Sequence, residues 1–443
     1  MIQIRLCAVS LLLAGSISAA EFDEARTNNW HQWRGPNATG VAPQADPPTT
    51  WSEDENIRWK TAIDGRGSST PIIWGDQVFV LTAIDTGEVD PSLPKPEDQP
   101  PRLFGITFPN TKYQFVVISL DRNTGKEQWR KVATVRVPHE GHHGDNNYAS
   151  ASPTTDGERL YAWFGSAGLY CYDLSGELLW KRDFGNVEMR RSFGEGCSPV
   201  VHDGRVVINR DNEGQSYIVV LDAKSGETIW EEKRDESSAW ATPLVVEYEG
   251  TTQVITSASN RVRSYALEDG KLIWECGGQV GNVTPSPVTN GEAVYCMSGY
   301  RGNALYALPL DAEGDISRTD KILWTKDRGT PYVPSPLLYD GLLYFTQSND
   351  AIVTCVNAKT GEEVIGRSRL PNLRRLYASP LGAAGRVYFV DRDGVTLVVE
   401  RGDELNVLAT NRLDEGIDAS PAAVGGQLFL RGEKHLYCIE AAP

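Results

Sequence analysis

The densest cluster of chemically versatile side chains in this chain is His139-x-x-His142-His143-x-Asp145, which holds three of its six histidines. Imidazoles beside a carboxylate are a donor set for zinc or copper, so His139, His142 and His143 are candidate metal ligands. The cluster lies in a Gly-bearing stretch, residues 138–148, with no helical pattern to set ligand geometry. A polar, hydrogen-bonded loop is therefore the stronger reading. Asp121-Arg122-Asn123-Thr124-Gly125 superficially matches a calcium loop but lacks the bidentate Glu that would complete one, and it reads as a tight turn. No Gly-x-Ser-x-Gly elbow is present for nucleophilic catalysis. Beyond residue 20 the six cysteines are dispersed without a Cys-x-x-Cys pair, which points to buried apolar roles rather than zinc or a disulfide framework.

Compartment and solubility follow from the ends and the charge. Residues 1–20 read as a secretory signal peptide, with Arg5, an apolar core at 6–14 and small residues before Glu21. Cys7 precedes the apolar run, so a lipoprotein box is absent, and the expected location is periplasmic or secreted. Losing this leader removes one basic and no acidic residue, taking the formal net charge from −16 to −17. That balance disfavours nucleic acid and anionic lipid as partners. No later stretch has the apolar length of a transmembrane segment.

The elements that must position any chemistry are announced by a repeat. A Ser/Thr-Pro dipeptide recurs at Pro71, Pro153, Pro199, Pro243, Pro287, Pro336, Pro380 and Pro421, and all but the first interval fall between 41 and 49 residues. That is the length of a four-stranded propeller blade. Each dipeptide precedes a short strand, an Asp-Gly or Asn-Gly turn in many units, and an apolar strand. A third strand then leads to a Gly turn with Trp four residues on, as in Gly125/Trp129, Gly176/Trp180, Gly226/Trp230 and Gly270/Trp274. Trp324 follows an insertion, and Ile365 replaces Trp in the sixth unit. The last unit lacks its fourth strand, and Asn56-Ile57-Arg58-Trp59-Lys60 supplies the missing pattern. The spacing therefore predicts an all-β, eight-bladed β-propeller of four-stranded antiparallel blades over 55–440, with the last blade closed by the N-terminal strand. Residues 21–54 form an N-terminal extension, and 85–112 a Pro-rich insertion in blade 1, either a lid or a solvated excursion.

Asp121 to Trp129, and Leu221 to Trp230, resemble pyrroloquinoline-quinone (PQQ)-type repeats, and the resemblance covers nearly all of 50–440. Trp30-His31-Gln32-Trp33-Arg34-Gly35-Pro36-Asn37 and Tyr332-Val333-Pro334-Ser335-Pro336 look like a bacterial subfamily of PQQ-like propellers, common in planctomycetes, whose members mostly lack an established activity. The wider family includes quinoprotein dehydrogenases and a cofactor-free propeller of outer-membrane protein assembly, so the fold alone does not decide function. If the chain were a quinoprotein, the resemblance implies PQQ stacked on Trp240 and calcium held by Asn147 and Glu195. No adjacent cysteine pair is present, and no Asp stands out as a base.

In a propeller, the loops before each first strand and between second and third strands open on one face. Those loops are the irregular ones here, and they are rich in arginine. Arg66, Arg190, Arg191, Arg261, Arg263, Arg301 and Arg375 are the candidate ligand-binding set, joined by Arg374, Arg392 and Arg431 in the same loops. Convergent guanidinium groups recognise carboxylate, phosphate or sulfate. The expectation is an exported, non-catalytic scaffold of the cell envelope that binds an anionic ligand or an envelope protein. The first alternative is a periplasmic PQQ-dependent oxidoreductase, and the second is a glycan-processing or glycan-binding protein, which the loop aromatics permit without specifying.

Overall fold

The computed structural model describes residues 19–442, so all but the last two residues of the expected leader lie outside the described residues. It is a ring of eight antiparallel sheets. Blade 1 comprises Ile72–Trp74, Gln77–Val89, Thr111–Asp121 and Glu127–Arg136. Blades 2 to 7 follow in chain order over 154–182, 200–234, 244–277, 288–326, 337–369 and 381–412. Blade 8 combines Ala422–Val424, Gln427–Arg431 and His435–Glu440 with the N-terminal strand Ile57–Ala62, in the order expected. Trp59 lies opposite Cys438 and Lys60 opposite Tyr437. The one added strand, Gly314–Asp315 of the blade 5 insertion, pairs in parallel with the outer strand of blade 4. Among the described residues no helix is long and apolar enough to cross a membrane.

The second strand of each blade is apolar on both faces because sheets pack on either side of it. Val78, Phe79, Val80 and Leu81 are fully buried, as are Leu428, Phe429 and Leu430. Outer strands meet solvent, and Val132, Val135, Leu178 and Leu179 are exposed there. The repeated Trp is the wedge between neighbours. Trp59 of blade 8 packs on the Gly125 turn of blade 1, and its indole N–H donates to the Arg122 carbonyl at 2.8 Å. Trp129, Trp180, Trp230 and Trp324 repeat this contact on Gly176, Gly226, Gly270 and Gly361. Each Gly has positive φ, and a Cβ there would strike the indole. Trp274 departs from the pattern: it is fully buried, and its N–H turns inward to Gln253.

Nearest the axis, the Ser/Thr of the dipeptide does the linking. The backbone N–H of Thr70, Ser152, Ser198, Thr242, Ser286, Ser335 and Ser379 each donates to the side-chain oxygen of the next blade's Ser or Thr, at 2.9–3.0 Å. The eighth link is missing, and Thr70 Oγ1 has no partner among the described residues. The seam between blades 8 and 1 relies instead on the N-terminal strand. All six described cysteines are free, and five are buried.

Candidate functional site

The N-terminal extension, which carries no repeat, turns the central channel into a blind cavity. Trp30 bridges Ile73 of blade 1, and the His31 carbonyl accepts the Thr155 N–H of blade 2. The chain then crosses the axis. The Trp33 indole N–H donates to Ser286 Oγ at 3.1 Å, and Arg34 donates to the carbonyls of Pro336 and Pro380, each at 2.8 Å. Arg34 is fully buried without a carboxylate, and burial lowers its pKa to about 9. Gly40 lies with positive φ against this guanidinium, where a Cβ would fall 2.0 Å from Nη2. The segment then pairs with Gly382 of blade 7 and reaches Gly425 of blade 8 before entering the closing strand. The Trp-Arg-Gly motif at 33–35 is thus a plug, a role the repeat pattern could not reveal.

Above Trp33, on the irregular face, lies a cavity of about 510 Å³. Its wall is aromatic: Phe104, Phe193, Trp240, Tyr300, Tyr332 and Tyr377. Trp240 is fixed by its indole N–H on the Gly194 carbonyl at 2.7 Å and by its backbone N–H on Val283. Tyr300 and Tyr332 lie 4.9 Å apart with planes tilted by 31°. Phe104 comes from the 85–112 insertion, whose Ile106 is buried against Gly141. Phe104, itself exposed, packs edge-on to His143 and Phe193 at the cavity rim.

The polar part of the wall is a network. Arg392 donates to both oxygens of Asp418, at 2.6 and 2.9 Å, and to Asp145 Oδ1 at 2.8 Å. The Tyr377 hydroxyl donates to Asp145 Oδ2 at 2.7 Å. Burial alone would raise the Asp145 carboxyl, but the Tyr377 hydroxyl and the Arg392 guanidinium hold it below the ordinary range. Arg392, sandwiched over Tyr377 at 4.1 Å, is an internal counter-ion rather than a free anion receptor.

Of the seven arginines expected to converge, Arg301 alone lines this cavity, exposed and stacked on Tyr300 at 5.3 Å. Arg190 is held by Asn282 and Glu213, and Arg261 by Glu275 and Asp315. Arg263 is buried among Asp235, Glu236 and Glu275. Arg191 and Arg375 are exposed outside the cavity, and the Arg66 backbone bridges Ala83. Arg374 is exposed with Asp393 3.9 Å away, and Arg431 is fully buried with no hydrogen-bond partner for its guanidinium among the described residues. The three imidazoles do not share a ligand. His139 Nε2 donates to Val187, His142 Nδ1 donates to the His143 carbonyl, and His143 Nδ1 accepts the Asp145 N–H. Among the described residues no group of three or more His, Cys, Asp or Glu is arranged to hold a metal ion.

The quinoprotein set divides in the same way. Trp240 is on the cavity wall, where a flat ring would stack. Asn147 and Glu195 line, with Glu140, an adjoining pocket of about 50 Å³ that shares Ser150 and Gly196 with the cavity. The Glu195 carboxylate accepts the Ser166 N–H at 2.7 Å and faces Arg210 at 3.5 Å. Asn147 is spent on Ser68 and Ala149. Glu195 lies between Gly194 and Gly196, which both meet Trp240, but these residues do not fit a calcium–PQQ pair as they stand: the Asn147 amide and the Glu195 carboxylate are already engaged by protein partners. Glu140 is the perturbed group here, pushed up to about 8 by burial and by the neighbouring Glu195.

A ring of eight blades, five of them wedged onto the next by a Trp, with its channel blocked from one end, defines a closed propeller with a blind axial cavity. The chain belongs to the PQQ-like, quinoprotein-type repeat family: the family model described as outer membrane protein assembly factor BamB matches residues 114–367, more than half of its length. Among solved structures it is similar to the quinohemoprotein alcohol dehydrogenase of Comamonas testosteroni, at 10% identity over 96% of this chain and 83% of that one, with a TM-score of 0.64. The quinohemoprotein alcohol dehydrogenase ADHIIG of Pseudomonas putida HK5 is similar at 12% identity over 96% and 82%, with a TM-score of 0.60. At such identities the likeness is one of fold. No curated protein sequence matches the chain.

Proposed function

We propose that this protein is an exported, non-catalytic binding propeller of the cell envelope that holds a small ligand in its axial cavity, with an anionic group at Arg301. The observation that carries this reading is the blind aromatic cavity itself. Its volume lies in the range of small-molecule sites, it combines an aromatic wall with polar side chains, and its floor is the chain's own plug. Export rests on the leader at 1–20. The engagement of Asn147 and Glu195 by protein partners and the internal Arg392 counter-ion weigh against quinone redox chemistry. The stacking position of Trp240 is what favours the oxidoreductase alternative.

The test is titration of purified protein with PQQ and calcium, beside a panel of small carboxylates and phosphates at low and high salt. The expected result is no PQQ isotherm at micromolar concentration, and salt-sensitive carboxylate binding that Trp240→Ala abolishes. A stoichiometric PQQ isotherm with calcium-dependent dye reduction would establish the oxidoreductase instead. Carboxylate binding indifferent to Trp240→Ala would place the ligand outside the cavity.

A further inference from the structure

The floor and walls of the axial cavity specify more than an anion. Six axial hydroxyls, those of Ser198, Thr242, Ser286, Ser335, Ser379 and Ser420, line it from below. Each oxygen already accepts a backbone N–H from the preceding blade. Among the described residues none of these hydroxyls donates to a protein acceptor, so each proton is available to an oxygen above it. His143, whose Nδ1 accepts the Asp145 N–H, presents Nε2 as a further donor. Asp145 and Asp418 keep spare lone pairs after binding Arg392 and Tyr377, and these accept from ligand hydroxyls. The cavity therefore offers hydroxyl and imidazole donors, carboxylate acceptors and aromatic faces together.

A flat aromatic acid would use the faces and leave this hydroxyl floor unmatched, which costs affinity. A saccharide uses both, stacking its C–H face on Trp240 or the Tyr300–Tyr332 pair while its hydroxyls meet the floor. Arg301 has no carboxylate partner among the described residues, and it lies beside Tyr300 at the same rim. Resting on the reading of this cavity as a binding site, we infer that its ligand is a short saccharide bearing a carboxylate, a uronic acid unit, with the carboxylate at Arg301 and the sugar ring on the aromatic wall.

Calorimetric titration with digalacturonate, uncharged digalactose and naphthalene-2,6-dicarboxylate tests this. Digalacturonate is expected to bind one per chain, at least tenfold more tightly than digalactose. Arg301→Ala, an exposed position whose fold is checked by thermal unfolding, is expected to lower digalacturonate affinity to the digalactose level. Trp240→Ala is expected to weaken both sugars tenfold or more. Binding of the naphthalene acid through Trp240 with no response to digalacturonate would overturn the saccharide inference and leave the cavity reading intact. No Trp240-dependent binding of any of the three, or of the carboxylate panel, would overturn both. Digalacturonate affinity unchanged by Arg301→Ala would remove the uronate assignment.

Discussion

Replacing Trp59 with Ala isolates the contact that closes the ring. The side chain is 8% exposed, lies 6.0 Å from Phe429 by ring centroids, and covers the Gly125 turn of blade 1. A buried Trp removes about 150–250 Å² from water, and at roughly 25 cal/mol per Å² this sets an upper bound of about 4–6 kcal/mol. Truncations of this size cost about 3–5 kcal/mol once partial relaxation is included. The Arg122 carbonyl loses its indole donor, but it lies near the surface, where water replaces the bond. The expected loss is therefore about 4 kcal/mol. Trp230→Ala empties the same slot between blades 3 and 4, which remain covalently continuous, and serves as the control. Urea unfolding gives the stability change, and hydrogen exchange gives its location. Trp59→Ala should accelerate exchange at 57–62 and 435–440, whereas Trp230→Ala should leave those amides protected. A loss below about 1 kcal/mol with unchanged exchange would refute the closing role of this indole.

Two further outcomes follow from the plug and the small pocket. Gly40→Ala forces a side chain onto Arg34 at a positive-φ position, so it should cost at least about 1–2 kcal/mol and speed exchange at Gly40 and Gly382. Unchanged exchange there would mean that the plug tolerates the methyl group. Glu140 has a folded pKa of about 8 against an ordinary 4.5. Between those values the native state holds a proton that the unfolded state releases, so stability falls as pH rises from about 4.5 to 8. Glu140→Gln should flatten that decline in melting temperature, and parallel curves for the two proteins would contradict the assignment.

The blades were legible because the Ser/Thr-Pro period and the Gly–Trp spacing each report a repeated packing slot. The role of the dipeptide was half legible. Proline explains an innermost strand that forgoes an N–H, but the hydroxyl before it carries the inter-blade bond, and only the ring geometry shows its acceptor. The plug at 33–35 was visible as a motif without a mechanism, since Arg34 bonds carbonyls some 300 residues away. The arginines mislead for a related reason. Arg261 and Arg263 lie beside Glu275 of the adjacent strand, and a cross-strand pairing of that kind leaves no trace in local sequence. In the histidine loop His142 and His143 bond to neighbouring backbone, whereas His139 reaches Val187, a contact that local spacing does not show.

The clasp between Ile57–Ala62 and His435–Glu440 also dictates an order of assembly. Its partners are about 380 residues apart, and closing so long a loop from an unfolded chain costs about 3 kcal/mol more entropy than closing a ten-residue hairpin. Blades 1 to 7 are built from neighbouring strands and form without meeting that cost, and as an arc they bring the two ends of the chain together. The strand synthesised first is therefore the last to find its sheet. Until residues 435–440 pair with it, the eighth sheet lacks its outer strand and the ring has no closing contact there.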